Sequence, residues 1–180
     1  MVVKYGVIYI DPPWAYSNWK GKENGAAKAH YNCLSTKEIA DIPIGDFAAD
    51  NCAMLMWVTG PKLAEGAHNI LFDAWGFRPV TTAFVWVKTT SDGKPYCGLG
   101  FYTRSGAEFC LLGIKGRVSR NKDATKVMQV ITEPRIYRHS EKPGVMYSQI
   151  EELFPGPYIE IFARNRRLGW DSWGNQLPEE

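Results

Sequence analysis

Short apolar runs alternate along this chain with segments whose apolar residues recur every three or four positions. The runs are rich in β-branched and aromatic residues, which is typical of buried strands. The pattern predicts five strands, at residues 7–10, 53–58, 83–87, 109–114 and 158–162. Because nearly continuous apolar strands alternate with amphipathic helices, we predict an α/β fold whose sheet is buried on both faces.

Three helices are predicted between these strands. Ser35 and Glu38 have the spacing of a capping box, which predicts the start of the first helix. The second is expected to begin at Pro61 and to end before Gly76, and the third to begin at Pro143.

Two polar stretches without periodicity, about 15–32 and 115–126, are predicted to be loops that face the substrate. The sequence shows no internal repeat or linker, so residues 1–180 are expected to form one domain. The second loop carries a run of basic side chains, which would suit contact with phosphates or plain solvation equally well. These side chains are Lys115, Arg117, Arg120, Lys122 and Lys126.

The overall composition is that of an ordinary soluble globular protein, with 45% hydrophobic and 22% charged residues. No apolar run approaches the ~20 residues that a membrane span needs, and no signal peptide is evident, so we expect a cytoplasmic protein. The four cysteines form no CxxC pair and only three histidines are present, so no metal site is expected. A formal charge of +2 is too small to indicate a polyanionic partner by itself.

The residues Asp11-Pro12-Pro13-Trp14 follow directly after the first predicted strand. Ligands bind at the carboxyl ends of strands in open α/β sheets, and two prolines leave a backbone that offers carbonyl oxygens but few N–H groups. The Asp11 carboxylate and the Pro12 carbonyl could accept both hydrogens of an aromatic amine and direct its lone pair at a methyl donor. Trp14 offers a face for a splayed base. The tripeptide alone is more typical of a rigid turn, and it is the following Trp14 and the context that favour a site.

Further segments along the chain accompany this motif. They are His30-Tyr31, Leu34-Ser35, Glu38-Ile39, Met56-Trp57-Val58-Thr59, Trp75-Gly76-Phe77, Val85-Trp86-Val87-Lys88, Glu108, Lys115-Gly116, His139-Ser140-Glu141-Lys142-Pro143, Glu160-Ile161-Phe162-Ala163-Arg164 and Gly174-Asn175-Gln176. Together and in this order, they resemble the MT-A70-like adenine methyltransferases. This is the family of the catalytic subunit of the eukaryotic messenger-RNA adenosine methyltransferase and of its bacterial and phage relatives. The resemblance covers nearly the whole chain.

The resemblance implies a Rossmann-like S-adenosylmethionine-dependent methyltransferase fold with a circularly permuted order, in which the catalytic motif comes first and the cofactor strand last. Glu160 would bind the cofactor ribose, as acidic residues do in dinucleotide folds. Lys142 would pair with the methionine carboxylate. Taken singly, such residues also fit surface ion pairs or turns. The complete set implied to bind the cofactor is Lys142, Glu160, Phe162, Arg164, Asn175 and Gln176.

The resemblance also implies a substrate side. The residues concerned lie in the loop after the catalytic motif and near two strand ends, and they are Tyr16, His30, Tyr31, Trp57, Trp86 and Lys88. Trp57 and Trp86 would fit the core equally well. Arg166-Arg167 stand where the human-like members carry His-Asn, so contacts with the cofactor are expected to differ there.

The implied reaction is methyl transfer from S-adenosylmethionine to the N6 amine of adenine in nucleic acid. A compact single domain resembles the bacterial and phage members, which favours DNA over RNA and a bacterial or phage-infected cell. Three alternatives remain open: RNA adenine methylation, cytosine-N4 methylation, whose enzymes more often carry Ser in place of Asp11, and a catalytically silent nucleic-acid-binding subunit. A homodimer or a partner subunit is also left open.

Overall fold

The computed structural model describes residues 3–15, 33–100, 102–135 and 141–178. The described residues form one seven-stranded sheet with helices on both sides. The strands are β1 (Tyr5–Ile10), β2 (Ala48–Val58), β3 (Arg78–Thr89), β4 (Ala107–Lys115), β5 (Val130–Pro134), β6 (Tyr158–Ile161) and β7 (Trp170–Trp173). The helices are α1 (Thr36–Ala40), α2 (Gly60–Ala64), α3 (Ala67–Trp75) and α4 (Val145–Leu153), with a 3₁₀ turn at Ile44–Phe47.

The strands follow the order β5-β3-β4-β2-β1-β6-β7. All neighbours are parallel except β4, which runs antiparallel to both β2 and β3. The carboxyl ends of β1, β2 and β6 therefore lie at the same edge of the sheet as the amino end of β4. We call this the site edge, because these strand directions bring Asp11 and Glu108 towards each other there.

Both faces of the sheet are buried, as the apolar runs predict. In β1 the side chains alternate, so that Ile8 and Ile10 join the core beneath α1 and α3. Val7 and Tyr9 point the other way, into the core that α4 covers. The predicted α/β fold is confirmed, and β1 is its central strand, paired on one side with β2 and on the other with β6.

The helix predicted over 61–76 is divided into α2 and α3. Gly66 adopts a left-handed conformation with φ of 71° between them, which ends one helix and allows the next to start in a new direction. Leu71 faces the core as the periodicity predicts, whereas Ile70 is exposed. The break at Gly66 was not predicted, because the helical spacing of apolar residues continues through it.

Loop 115–126 does not reach the site edge. Lys115 ends β4 opposite Cys52, about 23 Å along the strand from Glu108. The Asn121 side chain then donates to the carbonyl oxygen of Glu152 at the end of α4 (2.9 Å). The expectation that this loop faces the substrate is therefore not supported by its position, because the antiparallel direction of β4 carries it to the opposite edge. In the other predicted loop, residues 16–32 lie outside the described residues. None of the described helices is long and apolar enough to cross a membrane.

Candidate active site

The Asp11-Pro12-Pro13-Trp14 motif leaves the end of β1 as a tightly bonded turn. The Trp14 amide donates to the Pro12 carbonyl (2.8 Å), and the Leu34 amide donates to the Pro13 carbonyl (2.9 Å). The Trp14 indole is buried, and its Nε1 donates to the Trp57 carbonyl (3.0 Å). These bonds hold the motif against the end of β2 and fix the direction in which Asp11 projects.

A cavity of about 300 Å³ opens at the site edge beside this turn. Its size and its mixture of apolar walls with a few polar groups are those of a small-molecule site. It brings together ten of the residues implied by the sequence: Asp11, Pro12, Pro13, Trp14, Trp57, Lys142, Phe162, Arg164, Asn175 and Gln176. Glu160, Trp86 and Lys88 are not among its lining residues, and Tyr16, His30 and Tyr31 lie outside the described residues.

Four charged side chains of alternating sign form a chain that ends at the cavity. The Lys142 ammonium lies 2.6 Å from Asp11 and 3.3 Å from Glu108. Glu108 also pairs with Lys88. The Lys142 side chain is only 7% exposed, so the two carboxylates replace most of its water. The cluster carries no net charge, which is how buried ionised groups are tolerated.

The neighbours in this cluster set the ionisation of each member. Burial raises the pKa of Asp11 above its usual value, and the charge of Lys142 opposes that rise. Burial also acts to raise the pKa of Glu108, but Lys142 and Lys88 outweigh it and hold that pKa below its usual value. Burial acts to lower the pKa of Lys142, yet Asp11 and Glu108 raise it, so the lysine stays protonated.

Two tryptophans pack behind the charged cluster. The Trp57 Nε1 donates to the Tyr9 hydroxyl (2.7 Å), and its ring lies 5.6 Å from the Lys142 ammonium. Trp57 thus contributes both to the core and to the cavity wall. Trp86 is buried in the core, with its Nε1 donating to the Glu133 carbonyl (3.0 Å) and Lys88 above its ring. Trp86 and Lys88 therefore lie behind the residues that line the cavity and do not line it themselves.

Phe162 and Gly174 shape the cavity wall next to β6. Phe162 has a φ of 61°, which is a strained conformation for an aromatic residue and turns the chain sharply after the strand. Its ring meets Trp173 edge-on at 5.6 Å. A Cβ atom on Gly174 would collide with the carbonyl oxygen of Ala163, so glycine permits the close approach of the two turns. That approach brings Asn175 and Gln176 to the cavity.

Glu160 lies just behind this wall, and its carboxylate accepts a hydrogen bond. The Tyr147 hydroxyl donates to its carboxylate (2.8 Å), and the Arg167 guanidinium lies 4.3 Å from the centre of the Tyr147 ring. Burial raises the pKa of Glu160, and the bond from Tyr147 opposes that rise. The nearby charges of Asp11 and Arg164 also act on Glu160, so it lies in the same electrostatic environment as the cavity.

Glu108 is a cavity residue for which no role was predicted. It is buried, lines the cavity and connects Lys142 to Lys88. An acidic residue directly before the apolar run 109–114 was the available signal. Its contact with Lys142 depends on the antiparallel direction of β4, which the run does not reveal. Thr59 and Trp173 also line the cavity and were not expected there.

Comparison with known proteins agrees with this geometry. The sequence model of the MT-A70 family matches residues 5–176. The chain belongs to the MT-A70 family. The Type II methyltransferase M.MunI of Mycoplasma sp is a relative with 36% identity, aligned over 98% of this chain and 79% of its own length. This family membership confirms the resemblance and the methyltransferase fold that it implies.

Two human MT-A70 relatives are longer proteins. The N(6)-adenine-specific methyltransferase METTL4 of Homo sapiens is 31% identical over 96% of this chain and 37% of its own length. The N(6)-adenosine-methyltransferase catalytic subunit METTL3 of Homo sapiens is 29% identical over 97% of this chain and 28% of its own length. This MT-A70 chain therefore spans about a third of the human relatives and most of the bacterial one.

Membership of the MT-A70 methyltransferase family implies S-adenosylmethionine as the cofactor. The side chains that line the cavity fit this molecule. The charged amino-acid head group of this cofactor needs ionic partners, its ribose needs hydrogen-bond acceptors, and its adenine needs a flat apolar wall. The cavity lining supplies Lys142 as an ionic partner, Phe162 as an apolar wall, and Asn175 and Gln176 as further polar groups. Glu160 is the nearby acceptor. Within the described ranges, no three His, Cys, Asp or Glu side chains lie together as metal ligands.

Proposed function

We propose that this protein transfers the methyl group of S-adenosylmethionine to the N6 amine of adenine in DNA. The observation that carries the proposal is the position of the Asp11 carboxylate, in a cavity of suitable size and beside the two prolines that fix it. Membership of the MT-A70 family, in which the human relative METTL4 is named an N(6)-adenine-specific methyltransferase, supports it.

In the proposed reaction, the protein prepares the adenine amine for attack. The nitrogen is a poor nucleophile because its lone pair is delocalised into the ring. Asp11 accepts one N6 hydrogen, and the Pro12 carbonyl accepts the other through the lone pair that the Trp14 amide leaves free. The nitrogen can then become pyramidal and direct its lone pair into the cavity. Both acceptors stabilise the positive charge that develops on it.

The cofactor supplies an electrophilic methyl group, and the residues of the chain place it. We propose that Lys142 faces its amino-acid head group, that Glu160 accepts from the ribose and that Phe162, Asn175 and Gln176 hold the adenine. Arg164 lies at the same wall. Once methylated, the nitrogen is cationic and acidic and releases its N6 proton to the Asp11 carboxylate or to water, so a strong base is not needed. Positioning and charge stabilisation provide the rate.

DNA is the favoured polymer because a relative that this chain covers over 79% of its length is a bacterial Type II methyltransferase. The same relative supports a cytoplasmic site of action in a bacterium or a phage-infected cell. An RNA substrate, as the name of METTL3 indicates for that protein, is the second candidate. Tyr16, His30 and Tyr31 remain proposed contacts with the target nucleotide.

The test is to incubate the protein with isotope-labelled S-adenosylmethionine and, separately, with single-stranded DNA, duplex DNA and RNA. Each polymer is then digested and the labelled nucleoside identified. We expect N6-methyladenine from DNA. Asp11→Asn should lower the rate about 10²–10³-fold, because one preorganised acceptor is lost. Asp73→Ala, which removes an exposed carboxylate from α3, is the matched control and should leave the rate unchanged.

The other outcomes discriminate among the alternatives. Label in RNA alone would mean that the substrate polymer is RNA and not DNA. Label in N4-methylcytosine would mean that the methylated base is cytosine and not adenine. Cofactor binding without transfer to any polymer would support a catalytically silent subunit. Loss of both binding and transfer would contradict the assignment of the cavity.

A further inference from the structure

The connection between β3 and β4 leaves the site edge and forms two successive turns. We call its described residues, 90–100 and 102–106, the tongue. The Tyr96 amide donates back to the Lys88 carbonyl (2.9 Å) across the first turn, and the Gly98 amide donates to the Ser105 carbonyl (3.0 Å) across the second. The tongue therefore begins next to Glu108, which is part of the charged cluster at the cavity.

The tongue is a built structure rather than an open loop. Cβ atoms on Gly98 and Gly100 would collide with the carbonyl oxygens of Ser105 and Thr103, so the two sides approach more closely than side chains allow. At its base, the Arg135 guanidinium donates to the Tyr96 hydroxyl (2.9 Å) and lies 5.1 Å from the centre of the ring. This contact braces the tongue against the end of β5.

Among the described residues of the tongue, two large apolar side chains are strongly exposed. Leu99 is 85% exposed and Tyr102 is fully exposed, and Arg104 beside them is also exposed. Because these two side chains stay in water, they contribute little buried apolar area to the stability of the folded state. Their placement next to arginines fits a partner with flat apolar faces and negative charges, which are the two features of a nucleic-acid strand.

We propose that the tongue contacts the nucleotides that flank the target adenine. This inference rests on the proposed function. Asp11 lies inside a cavity, so an adenine must leave its base stack to reach it, and its neighbours then lose their stacking partner. Tyr102 and Leu99 stack against the uncovered bases, as apolar wedges do in proteins that unstack DNA. Arg104 and Arg135 bind the adjoining phosphates.

Binding of a short duplex oligonucleotide, measured by fluorescence anisotropy, tests the apolar end. Tyr102→Ala and Leu99→Ala should each weaken binding about 10-fold, the range expected for loss of one stacked base. Tyr102→Phe keeps the ring and should bind as the unchanged protein does. Ile70→Ala removes an equally accessible apolar side chain from α3 and is the control that should have no effect. Affinity for S-adenosylmethionine should be the same in all four variants.

The salt dependence of binding tests the arginine. Arg104→Gln should reduce the slope of log affinity against log salt by about one, because one phosphate contact is lost. Arg117→Gln makes the same charge change at the opposite edge of the sheet and should leave the slope unchanged. Since these arms measure binding, they can be read even if no methyl transfer occurs, so failure of the proposed reaction and failure of the tongue are distinguishable.

Two results would overturn the inference. One is DNA affinity that is unchanged in the Tyr102 and Leu99 variants, or lowered equally by Ile70→Ala. The other is a dimer in solution that these variants convert to a monomer without altering DNA affinity, which would make the tongue an interface between copies of this chain.

Discussion

Lys142 is shared by two buried carboxylates, and this arrangement controls how Asp11 ionises. The lysine lies between Asp11 and Glu108, and Glu108 has Lys88 as a second cationic partner. Glu108 is thus held in its charged form without drawing Lys142 away from Asp11. The residue that we propose to accept the amine hydrogen, Asp11, is thus paired with a lysine that Glu108 holds from the other side.

Replacing Lys142 by methionine should change the pH dependence of methyl transfer. The folded-state pKa of Asp11 is already raised by burial, and Lys142 opposes that rise. The ionised carboxylate is the form that accepts the hydrogen, so activity falls as the pH falls through this pKa. Without the ammonium, the pKa rises further and the acidic limb of the kcat profile moves to higher pH.

The measurement is a kcat–pH profile at saturating cofactor, because Lys142 is also proposed to face the cofactor. Lys62→Met removes a lysine that pairs with an exposed glutamate on the surface (2.7 Å) and is the control. An acidic limb that stays in place in Lys142→Met would refute a role for Lys142 in setting the ionisation of Asp11.

Tyr147 is predicted to orient Glu160 for the cofactor ribose. Tyr147→Phe removes the hydroxyl that donates to the carboxylate, so KM for S-adenosylmethionine should rise about fivefold, the value of one hydrogen bond, with little change in kcat. Because this donor lowers the pKa of Glu160, its loss raises that pKa further. The loss of cofactor affinity on acidification should then begin at a higher pH than in the unchanged protein.

Tyr158→Phe provides the matched comparison. Tyr158 stacks on Trp170 (4.7 Å) in the same group of aromatic rings, but its hydroxyl donates to the Phe154 carbonyl. Equal changes in KM for the two variants would mean that the hydroxyls act through packing and that Tyr147 does not position Glu160.

At the scale of elements, the two turns beside Phe162 and Gly174 connect the end of β6 with the end of β7. The Ala163 amide donates to the Trp173 carbonyl (3.0 Å), and Gly174 passes against Ala163 without a side chain. These contacts bring the cofactor wall together from two strand ends. Neither turn forms the wall without the other.

Gly174→Ala should separate these turns. The added methyl group meets backbone rather than a movable side chain, so we expect a loss of about 2 kcal/mol in the free energy of unfolding. The Tm should fall by about 4–8 °C. Affinity for S-adenosylmethionine should fall with it. Gly60→Ala at the start of α2 adds the same group where no atom lies within 4 Å. Comparable effects of the two substitutions on cofactor affinity would argue against this role for Gly174.

The strands differ in whether their positions could be predicted from the sequence. The five apolar runs became β1, β2, β3, β4 and β6, because burial on both faces leaves a continuous signal. The edge strands β5 and β7 were not predicted. Val130 is exposed in β5, and Trp170–Trp173 alternates aromatic with polar residues over only four positions. Such strands are defined by pairing with a neighbour, which composition does not record.

The same distinction applies to the site. The motif at Asp11 and the cofactor wall follow from local sequence and from the resemblance. The place of Glu108 and of loop 115–126 depends on β4 running antiparallel to its neighbours. That direction brought an unassigned acid to the cavity and carried a basic loop away from it. Periodicity is the same in both directions of a strand, so the sequence alone could not decide this.

At the scale of the whole molecule, the adenine must enter a cavity at one edge of the sheet. Leaving a duplex costs a few kcal/mol, and leaving a single strand costs less. We therefore expect single-stranded DNA and duplexes with a mismatched target adenine to be methylated at least as well as matched duplex. Comparison of kcat/KM on oligonucleotides of one sequence measures this. A strict requirement for matched duplex would contradict it.

The catalytic strand β1 lies between β2, which follows it in sequence, and β6, which forms almost at the other end of the described chain. A division of the polypeptide between β5 and α4 would leave Asp11 on one fragment and Lys142, Phe162 and Asn175 on the other. Neither fragment would hold both reactants. Fused to two proteins of interest, such halves would write a permanent mark on nearby DNA when those proteins meet, so the strand order makes this enzyme a candidate recorder of molecular encounters.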